Sequence, residues 1–170
     1  MFDFSHKLAI SLMNVILVAK KAFDAYLINS NDKRTNFLLN KISKIMNNKI
    51  KNKNITFLGV TFKPGTDDMR ESSSLKMIPA LSRKGAYINY YEPTGKKKEL
   101  KSKNINFSEN IEDACKNADL IIIHTEWNEF KQLNFKKIKK KRNFKVFDMR
   151  NLYSTSEMKK NKINYFSIGR

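Results

Sequence analysis

The sequence predicts a three-layer α/β fold, a parallel sheet preceded by an N-terminal helical arm. From residue 54 onward, short apolar runs alternate with amphipathic helical patterns, the order that the crossover units of a parallel sheet require. The runs Leu120-Ile121-Ile122-Ile123 and Val146-Phe147 show no polar alternation, as expected of strands covered on both faces. Residues 5–47 contain neither Pro nor Gly and carry helical periodicity instead. Together these features give a Rossmann-like, doubly wound domain over residues 51–170 and an arm over residues 1–50.

In the arm, Leu8, Leu12, Val15, Ala19 and Ala22 recur at helical spacing, as do Leu27, Leu38 and Ile42, with Arg34 the polar exception. The Asn29-Ser30-Asn31-Asp32 cluster predicts a break, giving two helices or one interrupted helix, with Ser30 or Asn31 capping the second. Lys49 to Asn54 is a polar junction. Beyond it the expected strands are Ile55–Val60, Tyr87–Tyr91, Leu120–His124, Lys145–Asp148 and Asn164–Ser167. The expected helices are Ser73–Lys84, Glu109–Lys116, Asn134–Lys141 and Thr155–Lys160. Gly85 is placed to end the first of these by adopting a left-handed conformation.

Composition narrows the partners. The net charge is +18 in 170 residues, a field that attracts polyanions or nucleotides. The lysines are spread widely, with runs at Lys96-Lys97-Lys98, Lys136 to Arg142 and Lys159-Lys160. No aromatic residues interleave with them as in a nucleic-acid-binding sheet, so solvated lysine faces are the preferred reading and nucleic acid is not the expected partner. A single cysteine excludes an internal disulfide framework and fits a reducing cytoplasm. Leu8 to Ala19 is interrupted by Ser11 and Asn14 and falls short of the roughly 20 apolar residues a membrane span needs. The start Met1-Phe2-Asp3-Phe4 lacks the basic character of a secretory signal.

The richest segment runs from Gly59 to Ser74, between the first expected strand and its helix. It holds a Pro64-Gly65 turn, Asp67 and Asp68, and the cations Lys63 and Arg70. Ligands in open α/β sheets bind beyond the carboxyl ends of the strands. Lys63, Arg70 and Arg150 would all reach that rim, where guanidinium groups can grip diphosphate oxygens two at a time. The alternative is that Lys63 and Arg70 pair with Asp67, Asp68 and Glu71; a ligand role is preferred for Lys63 and Arg150, and Arg70 is left between the two. Asp67-Asp68 has too few companion acids for a metal site and is read as structuring the loop, capping the following helix and holding Arg70. His124 is read as a satisfied packing residue, Trp127 and Phe130 as packing, and Cys115, with no activating neighbour, as packing too. No G-x-G-x-x-G occurs.

The stretch Phe62-Lys63 to Thr66-Asp67-Asp68-Met69-Arg70-Glu71-Ser72 resembles the segment that opens the C-terminal domain of the UDP-glucose 6-dehydrogenase and GDP-mannose dehydrogenase family. The likeness continues in Lys84-Gly85-Ala86, Tyr91-Glu92-Pro93, Thr125-Glu126-Trp127-Asn128-Glu129-Phe130 and Phe147-Asp148-Met149-Arg150-Asn151-Leu152-Tyr153. It runs from about Ala25 to Arg170, and Ile28 to Arg34 is similar to the end of the family's central, dimer-forming helix. The resemblance implies a UDP-sugar ligand contacted by Phe62, Lys63 and Arg150, with Arg70 on the side of the cofactor NAD. It also implies oxidation of the sugar C6 alcohol through a cysteine carried in a G-G-x-C-F-P-K-D segment, which has no counterpart here, so no catalytic residue is assigned. Residues 1–24 do not follow the family, and the expectation is a truncated or rearranged chain, inactive alone. It would bind UDP weakly or complement a separate N-terminal half. The other readings are a non-catalytic oligomerisation or nucleotide-binding remnant, whose arm would pair as a homodimer or with full-length enzyme, and a basic nucleic-acid binder.

Overall fold

The computed structural model describes residues 2–138 and 143–169. By compactness the chain divides into two units, Met1–Leu38 and Leu39–Arg170. The first is helical over its described residues. Helix α1 (Phe2–Ile45) runs through it and supplies the opening turns of the second unit.

The expected break near Asn29 to Asp32 does not occur, so neither Ser30 nor Asn31 caps a second helix. Asn and Ser cost only about 0.5–0.7 kcal/mol each in a helix interior, too little to stop one that has no Pro or Gly. The Asn31 carbonyl instead accepts the Thr35 hydroxyl at 2.9 Å. What ends the helix is Asn47-Asn48, both left-handed at φ 52° and 58°, a conformation Asn tolerates better than most residues. Met13, Val15 to Val18, Phe23 and Tyr26 are exposed along the first unit.

The second unit is built on six parallel strands: β1 (Asn54–Leu58), β2 (Tyr87–Tyr91), β3 (Ile105–Phe107), β4 (Leu120–Ile123), β5 (Lys145–Asp148) and β6 (Asn164–Ser167). Their order is β3-β2-β1-β4-β5-β6, and every pairing is parallel. This is the doubly wound order with its switch point between β1 and β4. Register sets Ile55 beside Ile88 and Leu120, and Leu58 beside Tyr91 and Ile123.

Helices α2 (Ser74–Arg83), α3 (Ile111–Cys115), α4 (Phe135–Ile138) and α5 (Thr155–Lys160) connect the strands. Leu58, Ile121, Ile123 and Val146 form one packed cluster with Cys115, Phe135, Ile138 and Met158, so α3, α4 and α5 cover one face. Right-handed crossovers put α2 on the other. There Phe147 meets Lys41, whose Nζ stands 5.5 Å from the ring centroid. Lys41 also donates to the Ser167 carbonyl and Lys145 Nζ to the Ile45 carbonyl, fastening the end of α1 to the sheet. Gly85 (φ +85°) ends α2 as expected: its N–H reaches the Ser82 carbonyl and the Ala86 N–H reaches Leu81.

Two elements escaped the sequence reading. β3 is three residues long between Asn104 and Ser108, too short for a periodic signal. The connection β2–β3 has no helix, and a 3₁₀ turn fills Asn128–Gln132. Residues 139–141 of the expected fourth helix, and 139–142 of the basic run, lie outside the described residues.

Phe57 is fully buried on the central strand. Phe57→Ala is expected to cost about 3–5 kcal/mol, seen as a lower urea midpoint with an unchanged slope.

Candidate functional site

The site is built around the chain leaving β1. Gly59 (φ +75°) passes so close to β4 that a Cβ there would stand 2.6 Å from Thr125 Cβ; no larger residue fits. The following peptide groups are held from three sides. Glu92, at the exit of β2, accepts the Val60 N–H at 2.7 Å and the Thr61 N–H at 3.2 Å through one oxygen. Its other oxygen accepts from the Thr94 N–H and hydroxyl. The Val60 carbonyl accepts the hydroxyls of Ser72 and Ser74 at 2.7 and 2.6 Å. The Thr61 carbonyl accepts the Thr125 hydroxyl at 2.8 Å.

From this clamp the loop projects Phe62 and Lys63, both exposed. The Phe62 N–H donates to the Asp68 carbonyl at 2.9 Å, closing the loop. The Asp68 carboxylate accepts Arg70 Nε and Nη2 at 3.0 and 2.9 Å as well as its backbone N–H. These hydrogen bonds hold the Asp68 carboxyl below the usual range and raise Arg70. The reading of Asp68 as the group that holds Arg70 is thus correct; helix capping is not among its tasks. The Arg70 side chain remains 88% exposed at the rim.

His124, at the exit of β4, is buried. The Thr125 hydroxyl spends its proton on Thr61 and must therefore accept from His124 Nδ1 at 3.0 Å, which leaves Nε2 to accept the Ser73 hydroxyl at 2.8 Å. Burial, with Arg150 nearby, pushes the imidazole down to about 3. It is a neutral structural link, as the sequence suggested. Cys115, buried at the end of α3, has its thiol pushed up to about 12 by burial and is inert packing.

At the end of β5, buried Asp148 gathers the N–H groups of Arg150, Leu152 and Tyr153 and the Tyr165 hydroxyl. That turn requires Asn151 at φ 56° and presents Arg150. The Arg150 Nε donates to the His124 carbonyl at 2.6 Å and lies 2.8 Å from Glu126 Oε2. Its terminal nitrogens make no hydrogen bond among the described residues. Because β1, β4 and β5 are neighbours, Phe62, Lys63 and Arg150 occupy one rim, linked by the chain of contacts Thr61–Thr125–His124–Arg150. Trp127 packs partly buried and Phe130 fully buried in the core beneath.

Residues 56–155 match the model of the UDP-glucose/GDP-mannose dehydrogenase family, UDP binding domain. The chain belongs to this family. It is 38% identical over 146 residues to a UDP-glucose 6-dehydrogenase of Rickettsia felis, covering 84% of this chain and 33% of that protein. It is 35% identical over 142 residues to the enzyme of Rhizobium meliloti, covering 82% and 32%. The chain thus spans about a third of the length of the curated relatives it matches. Among solved structures, a UDP-D-ManNAc dehydrogenase of Pyrococcus horikoshii superposes with a TM-score of 0.61 at 25% identity, over 81% of this chain and 30% of that one. A UDP-glucose dehydrogenase of Pyrobaculum islandicum (TM-score 0.64, 19% identity, 81% and 29% covered) speaks to the fold alone.

The sequence reading gave no role to Glu92, Glu126, Ser72 or Ser74. The signals were present: an acid directly after an apolar strand, and three serines in succession where one cap would serve. Among the described residues no cluster of three His, Cys, Asp or Glu could hold a metal, and no helix is long and apolar enough to cross a membrane.

Glu92→Ala leaves the Val60 and Thr61 N–H groups buried without an acceptor and is expected to cost about 3 kcal/mol, with faster amide exchange at both. His124 yields a pH dependence whose sign follows from its depressed value. Between about 3 and its ordinary 6.5 the unfolded chain binds the extra proton, so stability is full above pH 6.5 and falls as pH drops towards 3. The slope reaches at most about 1.4 kcal/mol per pH unit, and chemical denaturation of wild type against His124→Gln isolates it.

Proposed function

We propose that the chain is the nucleotide-holding part of an NAD-dependent nucleotide-sugar 6-dehydrogenase, and that it binds the UDP portion of a UDP-sugar at the carboxyl rim. The observation that carries this is the coincidence of the UDP binding family match with a rim where Lys63 and Arg150 project from a fully bonded scaffold. Phe62 offers a half-exposed ring to a base or sugar face. Lys63 supplies a mobile point charge. Arg150, pinned through Nε, keeps two terminal nitrogens for diphosphate oxygens. Oxidation of the sugar C6 alcohol to the uronate belongs to the assembled enzyme.

The residues present do not suit NAD in the usual crevice. Where a dinucleotide-binding unit places a glycine-rich turn and an acid for the ribose, this chain has a single close-packed glycine and a Glu92 whose two oxygens are committed to Val60, Thr61 and Thr94. Arg70, exposed on the outside of the loop, is proposed to face the cofactor bound by another part of the enzyme. A second reading, assembly through the arm with a second copy or a separate N-terminal half, is favoured by the apolar residues exposed between Met13 and Tyr26.

Thermal unfolding with UDP, UDP-glucose, GDP-mannose and NAD tests the binding role. UDP at a hundred times its dissociation constant should stabilise by about 2.7 kcal/mol. Lys63→Ala and Arg150→Ala should each abolish most of that shift, while NAD gives none. A folded protein with no response to any nucleotide would sink the assignment.

A further inference from the structure

The excess positive charge is not at the nucleotide rim. Asp67, Asp68, Glu71, Glu92, Glu126 and Asp148 all lie at the carboxyl ends of the strands. Six lysines stand at the opposite edge, where the chain enters five of the six strands. Lys51 and Lys53 precede β1, Lys84 precedes β2, Lys103 precedes β3, Lys116 precedes β4 and Lys162 precedes β6. All of these are exposed except Lys53, which is half-buried. Among the described residues of these segments Asp119 is the one acid, and its carboxylate accepts the Asn54 N–H at 2.9 Å.

These segments form a continuous edge. The Asn52 N–H donates to Gly85, Tyr87 to Lys53, Ile88 to Asn104, Asp119 to Asn54 and Lys145 to Asp119, all at 2.8 to 3.0 Å. The cations therefore stand in strand order across the sheet. With neighbouring strands about 4.8 Å apart, the row from β3 to β6 extends for about 24 Å. One strand of a duplex places a phosphate about every 3.4 Å along the axis, so the row faces on the order of seven phosphates.

Complementing helix dipoles explains part of this charge, since helix carboxyl ends converge on this edge and favour cations. It accounts for Lys159 and Lys160 in the last turn of α5. It does not account for Lys53 or for Lys103, which lies in the helix-free connection between β2 and β3. Lys51 packs against Gly85 at the end of α2 and is partly explained in this way.

We propose that this amino edge of the sheet is a docking surface for the phosphodiester backbone of a nucleic acid, bound through charge and without base recognition. A linear row of flexible ammonium groups matches a linear polyanion. Tyr87 is the one large hydrophobic residue exposed at this edge among those described, too little for base stacking along a strand. It is also too little for a membrane surface, where basic residues act together with inserted apolar ones.

The test uses the full chain and a fluorescein-labelled 20-nucleotide oligouridylate, followed by anisotropy between 50 and 300 mM KCl. The triple variant Lys51→Glu/Lys84→Glu/Lys103→Glu is compared with Lys96→Glu/Lys98→Glu/Lys131→Glu, which removes the same charge from exposed lysines elsewhere. The edge variant should lose at least tenfold in affinity at 50 mM salt, and its log–log salt slope should fall by about three. The control triple should lose less than threefold. Equal losses in both variants would reduce the effect to net charge and overturn the proposal. So would absence of binding by the wild-type chain at 100 mM salt, or tighter binding to phosphatidylserine vesicles than to RNA. Neutral Lys→Gln triples repeat the comparison if a Glu variant unfolds. The UDP-dependent shift should persist in the edge variant, so failure of nucleotide binding and failure of this surface are read separately.

Discussion

The site hangs on one peptide segment, Val60-Thr61, as it leaves the central strand. Its two N–H groups are taken by Glu92 from β2, the Val60 carbonyl by two serines from the start of α2, and the Thr61 carbonyl by Thr125 from β4. A loop leaving a sheet ordinarily exchanges backbone groups with water and is free to move. Here the first two residues are held as firmly as strand residues, and Phe62-Lys63 begins from a fixed point. The close pass of Gly59 against Thr125 is the steric half of the same constraint: without it the chain could not lie near enough to β4 for the Thr125 hydroxyl to reach.

Polar groups at this end of the domain divide into two sets. Glu92, Asp148, His124, Ser72 and Ser74 are buried, and each is matched with partners inside the protein. A buried polar group is tolerable only when so matched, and these serve as rivets. Lys63, Arg70 and Arg150 stand on the rivets and reach solvent. Asp68, which meets Arg70, is partly exposed, so an anionic ligand competes there in a hydrated setting, whereas the Glu126 oxygen facing Arg150 Nε is itself buried. An exposed pair such as Asp68–Arg70 is worth about 1 kcal/mol or less, and Arg150 meets Glu126 through Nε.

Much of this was legible in the chain itself. The unalternating Leu120 to Ile123 run announced a strand covered on both faces, Gly85 announced the end of α2, and His124 at a strand end announced a packed, satisfied imidazole. Lys63 and Arg150 emerged from their places after strands. What failed to show has physical reasons. The break expected at Asn29 to Asp32 rested on residues whose helix cost is small beside the cooperativity of a long helix. β3 carries too few residues for a period of two to be counted. Glu92 and Glu126 received no role, because Val60, Thr61 and Arg150, which they meet, lie more than twenty residues away. The row of lysines was invisible for a related reason: scattered along the sequence, they are collected only by a topology that brings every strand's beginning to one edge.

Glu92 also bears on what this scaffold could become. In the same doubly wound order, an acid beyond the second strand commonly reads a ribose; here it has been turned inward and made part of the frame. Reinstating a glycine-rich turn after β1 would therefore not yield a dinucleotide receptor, because the acid is already spoken for and releasing it would loosen the loop that carries Phe62 and Lys63. Recognition has been converted into architecture at that position. An engineer seeking a new cofactor specificity in this domain would have to rebuild the exits of β1 and β2 together.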